Sequence, residues 1–371
     1  MHIGVGFIFQ GLAGPRHDAQ VYADEYLLAD RAEALGFDSL WQPEHHFTGY
    51  IMTPDPLMFL SYFAARTKHI RLGTMVNVLP WHDVVRLTEN ISVMDHISNG
   101  RYILGVGRGV AKTEFDGFRR DMNTSRQVLL EAAAAISQGL EHGYIEYDGE
   151  VIKQPRVDIR PKPKYSFQGR MYASAVSSAT FPILAKLGFG LLLIPGNAPW
   201  EQVAKDLENY RGIYRELHGR EAPKTIFAGW TFADRDAARA EEMGRKYLGE
   251  YIMSAVQHYD FAGEHMKGLK GYEHYAAVGE ATKGVDSSVF ANAFIGNHIM
   301  GTPEQCFEKI RYTKELLGSA GCILVPKYAS MPMTEATRNL EVIASDLLPR
   351  VKAFEPGLDI GEAIPHAQAA E

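Results

Sequence analysis

The stretch IRLGTMVNVLPWHDVVRLTENISVMDHISNGRYILGVGRG, Ile70 to Gly109, contains one complete strand–helix–strand unit. Ile70–Pro80 is an apolar run of strand type. Asp83 then stands as an N-terminal cap, and Val84, Leu87, Ile91 and Met94 recur at the spacing that puts them on one helical face. Asn99–Gly100 closes that helix. Arg101–Gly109 is the next strand and runs into a glycine-rich turn.

The same alternation continues in both directions. Upstream, Ile3–Phe9 and Ser39–His46 read as strands, with helices over Asp18–Leu35 and Asp55–Lys68. Downstream come a helix over Arg126–Glu141 and a hairpin over Tyr144–Lys153 that turns at Asp148–Gly149. Strands then follow at Met171–Val176, Gly190–Pro195 and Thr225–Ala233, each leading into a helix: Ser178–Leu187, Trp200–Leu217 and Asp234–Ala255. The last strand, Cys322–Tyr328, precedes a final helix over Glu335–Lys352.

Eight strand–helix units in order predict an α/β fold, a (β/α)8 TIM barrel, rather than an open doubly wound sheet, which more often stops at five or six strands. Residues 1–352 would form this single barrel. Between strands seven and eight lies a lid insertion, 260–300, rich in Gly, His and Tyr, followed by a helix at Pro303–Leu317. The tail, 353–371, is expected to be loosely held.

The 371 residues carry a net charge of -7 and no basic block, which argues against nucleic acid or an anionic membrane as partner. Cys306 and Cys322, the 2 cysteines, make no disulfide framework. The opening MHIGVGFIFQ lacks the features of a signal peptide, and no apolar run reaches spanning length, so a cytoplasmic enzyme is the expectation.

In a barrel the chemistry lies at the C-terminal ends of the strands. That rule selects Phe9 and Gln10, then Glu44, His45 and His46, then Met75, Val76 and Asn77. It further selects Arg108 and Gly109, then Ser177, Ser178 and Thr180, and finally Lys327 and Tyr328. Neighbouring strand residues point to opposite faces, so His45 and His46 should not share a substrate, although alternation alone does not say which faces inward. An inward histidine at the mouth suits acid–base work, and its neighbour would be a satisfied core group. None of the 14 histidines forms the HxH pair that would turn two rings inward, so no metal is expected. GVGRG offers backbone N–H groups and one arginine, and the hydroxyls of SSAT (Ser177–Thr180) open a helix. Together they favour a phosphorylated cofactor.

The blocks EHHFTGY, LGTMVNVLPWHDVVRLTEN, DHISNGRYILGVGRG, DMNTSRQVLLE, GYIEYDGEVI and GTPEQC, in this order, resemble the flavin-dependent luciferase-like monooxygenases, above all the alkanal-oxidising α subunit of bacterial luciferase. The resemblance runs from about residue 1 to 352. It implies a barrel that binds reduced FMN, supplied by a separate flavin reductase, and a reaction with O2 through a C4a-(hydro)peroxyflavin that oxygenates a small organic substrate.

By motif, His45 matches the catalytic histidine, with Glu44 before it and His46 its less critical neighbour. Arg108 and Gly109 match the phosphate turn, and Ser177 and Thr180 match the phosphate-binding hydroxyls. Met75–Val76 falls where the family often has a non-prolyl cis peptide under the flavin. The insertion matches a mobile lid, and the apolar PLMFLSYF helix matches a homodimer face.

Three positions depart from the luciferase pattern. Val176 stands where luciferase has glutamate, Gly107 where it has cysteine, and LLIPGN replaces a tryptophan-containing stretch. Flavin binding tolerates such changes, whereas long-chain aldehyde use and light emission are not expected. A heterocycle, terpene, ketone or aldehyde is the expected substrate. Hydride transfer with the deazaflavin F420, or a non-catalytic flavin-binding role, are the alternatives that the resemblance leaves open.

Overall fold

A computed structural model describes residues 1–175, 180–196, 198–260, 263–282, 287–357 and 359–366. The eight barrel strands are β1 (His2–Gly6), β2 (Ser39–Gln42), β3 (Arg71–Thr74), β4 (Tyr102–Gly107), β5 (Met171–Ala175), β6 (Gly190–Leu193), β7 (Ile226–Ala233) and β8 (Gly321–Val325). All pair in parallel with their neighbours in chain order. The ring closes where β1 meets β8, with Ile3 opposite Cys322. The predicted barrel is therefore the fold.

The strands are shorter than the apolar runs that announced them. β2 ends at Gln42, so Glu44, His45 and His46 lie in the loop beyond it. β3 ends at Thr74. After a cis bond between Met75 and Val76, Asn77–Val78 rejoins the sheet against Val106 and Gly107. The hairpin strands are Tyr144–Asp148 and Lys153–Asp158, and the connection between them, 149–152, is longer than a two-residue turn.

The helices around the barrel are α1 (Asp18–Ala29), α2 (Pro56–Arg66), α3 (Val84–Ser98), α4 (Lys112–Phe118), α5 (Ser125–His142), α6 (Phe181–Leu187), α7 (Trp200–His218) and α8 (Ala237–Tyr259). Several of these, α2 and α3 among them, are amphipathic in the expected way. The insertion adds α9 (Glu273–Thr282) and α10 (Ser287–Gly296), and α11 (Pro303–Leu317) leads into β8. α2 starts where the Asp55 carboxylate accepts the Met58 N–H and stops at Thr67, an extended residue. It buries Leu57, Leu60, Phe63 and Ala64, spaced for one face, and leaves Met58 and Tyr62 exposed. α3 likewise buries Leu87, Ile91 and Met94 and exposes Val93 and Ile97.

Inside the barrel, Trp41 fills the space between its neighbours. A Cβ on Gly73 would lie 2.3 Å from the Trp41 ring, so only glycine there admits the indole. Its Nε1–H donates to Ser39 Oγ at 2.7 Å. This plug leaves the upper part of the barrel for a cavity. Below it, Arg170 is completely buried. Its guanidinium donates to Asp95 at 2.8 Å and to the carbonyls of Tyr102, Ser166 and Tyr165, joining β4 and β5 to α3.

The tail differs from its expectation. Ile360 is buried, Asp359 binds the His2 ring at 2.8 Å and pairs with Arg71, and Ile364–Pro365 adds a strand to Tyr165–Ser166. Its buried apolar side chain and its charge partners at the starts of β1 and β3 hold it against the N-terminal end of the barrel. Composition alone does not reveal such tertiary partners.

Candidate active site

A cavity of about 460 Å³ occupies the C-terminal mouth of the barrel. Glu44, His45, Met75, Val76, Arg108, Gly109 and Thr180 all line it, whereas Phe9, Gln10, Asn77, Lys327 and Tyr328, which the strand-end rule also selects, do not. Val176 and Ser177 lie outside the described residues. His46 does not line the cavity. Its ring packs edge-on against Phe118, and its Nε2 lies 3.1 Å from Glu44. The two histidines do diverge, but through the course of a loop rather than strand alternation.

At one end of the cavity, the Glu114 carboxylate organises the histidine loop. Its Oε1 lies 2.9 Å from His45 Nδ1 and accepts the His46 backbone N–H at 2.9 Å. Burial alone would raise its pKa, but the His45 and His258 imidazoles outweigh burial and hold Glu114 well below the usual carboxylate range. An ionised carboxylate only accepts, which places the ring proton of His45 on Nδ1 and leaves Nε2 as an acceptor. That nitrogen faces the Tyr259 hydroxyl at 3.3 Å. Burial pushes the Tyr259 pKa far up, so this hydroxyl stays protonated.

Glu44 plays a different part. Its carboxylate accepts the Val78 N–H at 2.7 Å and bonds with His82 Nε2 at 2.9 and 3.0 Å. It thus ties the histidine loop to the segment after Met75–Val76. Burial opposes its charge, yet the bonds from His46 and His82 prevail and lower its pKa, while the same contacts overcome burial to raise that of His82.

Another part of the lining is cationic. Arg108 Nη1 donates to the carbonyl of Gly271 in the insertion at 2.7 Å, and its guanidinium lies 4.0 Å from the centre of the Tyr272 ring. Arg126 also lines the cavity, and its buried Nε has no hydrogen-bond partner among the described residues. Gly107 and Gly109 let the backbone pass close by. A Cβ on Gly107 would come within 2.3 Å of Val76, and Gly109 has φ +79°. Such a pair of guanidinium groups suits a phosphate monoester. Much of the remaining wall is aromatic: Tyr50, Trp230, Tyr251, Tyr259, Tyr275 and Phe294.

Sequence reasoning did not single out Glu114, Arg126, His258 or this aromatic wall. Arg126 could have been found as a cation in the first turn of α5, just beyond the glycine-rich turn. The others carry no local signal.

A closed parallel barrel with paired acid–base groups and two arginines around one cavity defines a TIM-barrel enzyme with a site at its C-terminal face. The chain matches the luciferase-like monooxygenase family model over residues 1–320 and belongs to that family. The alkanal monooxygenase alpha chain of Photorhabdus luminescens is 28% identical over 342 residues, covering 88% of this chain and 91% of that one.

Among solved structures, monooxygenase RslO1 from Streptomyces bottropensis superposes with a TM-score of 0.78 at 23% identity, covering 94% and 99% of the two chains. The oxygenating constituent of 3,6-diketocamphane monooxygenase from Pseudomonas putida, solved with FMN, gives 0.71 at 17%, covering 95% and 99%. An F420-dependent secondary alcohol dehydrogenase gives 0.68 at 16%, covering 95% and 99%. These likenesses show the shared fold.

Proposed function

We propose that this chain is a monooxygenase that takes reduced FMN from a separate flavin reductase and uses O2 to oxygenate a small, uncharged organic substrate. The observation that carries the reading is that one cavity is lined both by Arg108 and Arg126 and by the Glu114–His45 pair. The Arg126 Nε, unpartnered among the described residues, supports the fit of a cofactor phosphate there. Arg108, Gly109 and Thr180 would hold that phosphate with Ser177, and Met75 and Val76 would hold the ring system. When bound, reduced FMN supplies the electrons that activate O2.

This chain's own residues would do the rest. His45, with Nδ1–H fixed on Glu114, would accept or return a proton at Nε2. The Tyr259 hydroxyl, 3.3 Å away, would pass protons to it. The aromatic wall would bind an apolar substrate and exclude water, and the insertion would act as the lid above it. Both carboxylates of the cavity, Glu44 and Glu114, are already bonded to imidazoles, which supports a substrate without a compensating positive charge.

The test is to mix reduced FMN and the protein with oxygenated buffer, following flavin absorbance and oxygen uptake, alongside a binding titration with FMN and with F420. Tight FMN binding and altered reoxidation support the oxygenase. F420 binding, with reduced FMN reoxidising as it does free in solution, would replace it with hydride transfer.

The same reading includes a homodimer. Met58 and Tyr62 on α2, and Val93 and Ile97 on α3, form apolar exposed positions on two adjacent helices. Light scattering at micromolar concentration giving a single-chain mass would remove this part.

A further inference from the structure

His45, Glu114 and His258 reach the mouth from three separate segments, the loop after β2, α4 and the last turn of α8. One ligating atom from each lies within 4.8 Å of the others, the one group of its kind among the described residues. Glu114 Oε1 is 2.9 Å from His45 Nδ1 and 3.5 Å from His258 Nε2. The His258 side chain is only 2% exposed, yet its Nε2, at 3.5 Å from Glu114, makes no well-formed hydrogen bond among the described residues. A buried ring nitrogen left unsatisfied beside a carboxylate calls for a reason.

We propose that these three side chains form a site for a divalent cation of the zinc class, bound by His45 Nδ1, Glu114 Oε1 and His258 Nε2. Two imidazoles and one carboxylate are ligands that Zn2+ and Co2+ favour, whereas Mg2+ and Ca2+ take mostly oxygen. Tetrahedral bonds of about 2.0–2.1 Å put ligand atoms roughly 3.4 Å apart. The two distances from Glu114, 2.9 and 3.5 Å, fall on either side of that spacing.

The outer contacts also allow it. A metal needs a lone pair on each inner nitrogen, so the ring proton must move to the outer one. His45 Nε2 faces the Tyr259 hydroxyl at 3.3 Å, and His258 Nδ1 faces the Thr48 hydroxyl at 3.0 Å. A hydroxyl both donates and accepts, so either partner can serve the ring in its metal-bound tautomer and fix its orientation.

No local spacing announces such a site, which is why the lack of HxH left it unseen. The cation takes the place of the proton between Glu114 and His45. If the oxygenase reading holds, the loaded site is a reversible brake on it, and this clause alone rests on that reading.

The test uses the flavin-free protein and the metals alone. Co2+ titration, followed by its visible absorption and by calorimetry with Zn2+, should give one site per chain whose Co2+ band Zn2+ displaces. His258→Ala should weaken it by at least about tenfold, the loss typical of removing even an outer contact. Thr48→Val should weaken it less, and His69→Ala, at an exposed histidine, should leave it unchanged. No binding by the wild type up to millimolar metal, or binding that survives His258→Ala intact, overturns the proposal. Because no flavin is present, neither result bears on the monooxygenase reading.

Discussion

Glu114 and His45, 69 positions apart in the chain, meet through a 2.9 Å contact between Oε1 and Nδ1. The contact fixes which nitrogen of His45 is left to work, and the Glu114 oxygen also holds the next residue's backbone. Glu114→Gln keeps the volume but removes the charge and can present N–H to the ring. Turnover should fall on the order of 100-fold, within the range of general acid–base contributions, with KM changed little. Steady-state kinetics checks this, and unchanged turnover would show that His45 works without its partner.

On the proposed reading, Arg108 would offer its charge to the cofactor phosphate. In Arg108→Ala, FMN should bind about 10–100-fold more weakly, as expected for losing charge-assisted bonds of roughly 1.5–3 kcal/mol. Riboflavin lacks the phosphate and should bind as before. Fluorescence titration of both flavins separates this outcome from general damage to the pocket, which would weaken both alike.

The Glu44–His82 pair makes stability depend on pH. Glu44 is lowered in the fold, so its contribution is present above the unfolded carboxylate value, about 4.3, and fades as pH falls through its folded pKa. His82 is raised, so its contribution is complete below about 6.5 and is lost as pH rises through its folded pKa. The pair therefore helps most between roughly pH 4.3 and 6.5. In His82→Gln, the melting temperature at about pH 5.5 should drop more than that at about pH 8.5. Equal drops at both would mean that the ring acts only by packing.

Arg170 and Asp95 are both fully buried. Arg170→Ala leaves Asp95 without its cation and should cost about 3–5 kcal/mol in urea unfolding. Replacing both by apolar residues should cost less than the sum of the two single changes, because no charge is then stranded.

The barrel was legible because its strands are buried and read as apolar runs, separated by helices of which some carry a visible stripe and cap, as at Asp55 and Asp83. The strand ends put His45, Arg108 and Met75–Val76 on the list of candidates, and the resemblance chose His45 over His46 and gave Met75–Val76 their role. Glu114 did not, because α4 has only 7 residues and lies between turns, too short for a periodic signal. His258 and Tyr259 were missed because the sequence reading stopped the helix at Ala255. The helix in fact runs to Tyr259 and closes at Asp260 in the left-handed region, φ 47°. What the sequence lacked was the meeting of segments, which long-range packing decides.

The bond from Arg108 to the Gly271 carbonyl has a consequence for how the cavity is loaded. A phosphate that replaces this carbonyl gains the arginine less whatever held the insertion to it. By reciprocity, a change that tightens the insertion on Arg108 must weaken such an anion by the same factor, and an anion must loosen the insertion equally. If the anion is the phosphate of the proposed cofactor and the insertion is its lid, affinity for the cofactor and closure of the barrel mouth would be one equilibrium seen from two sides.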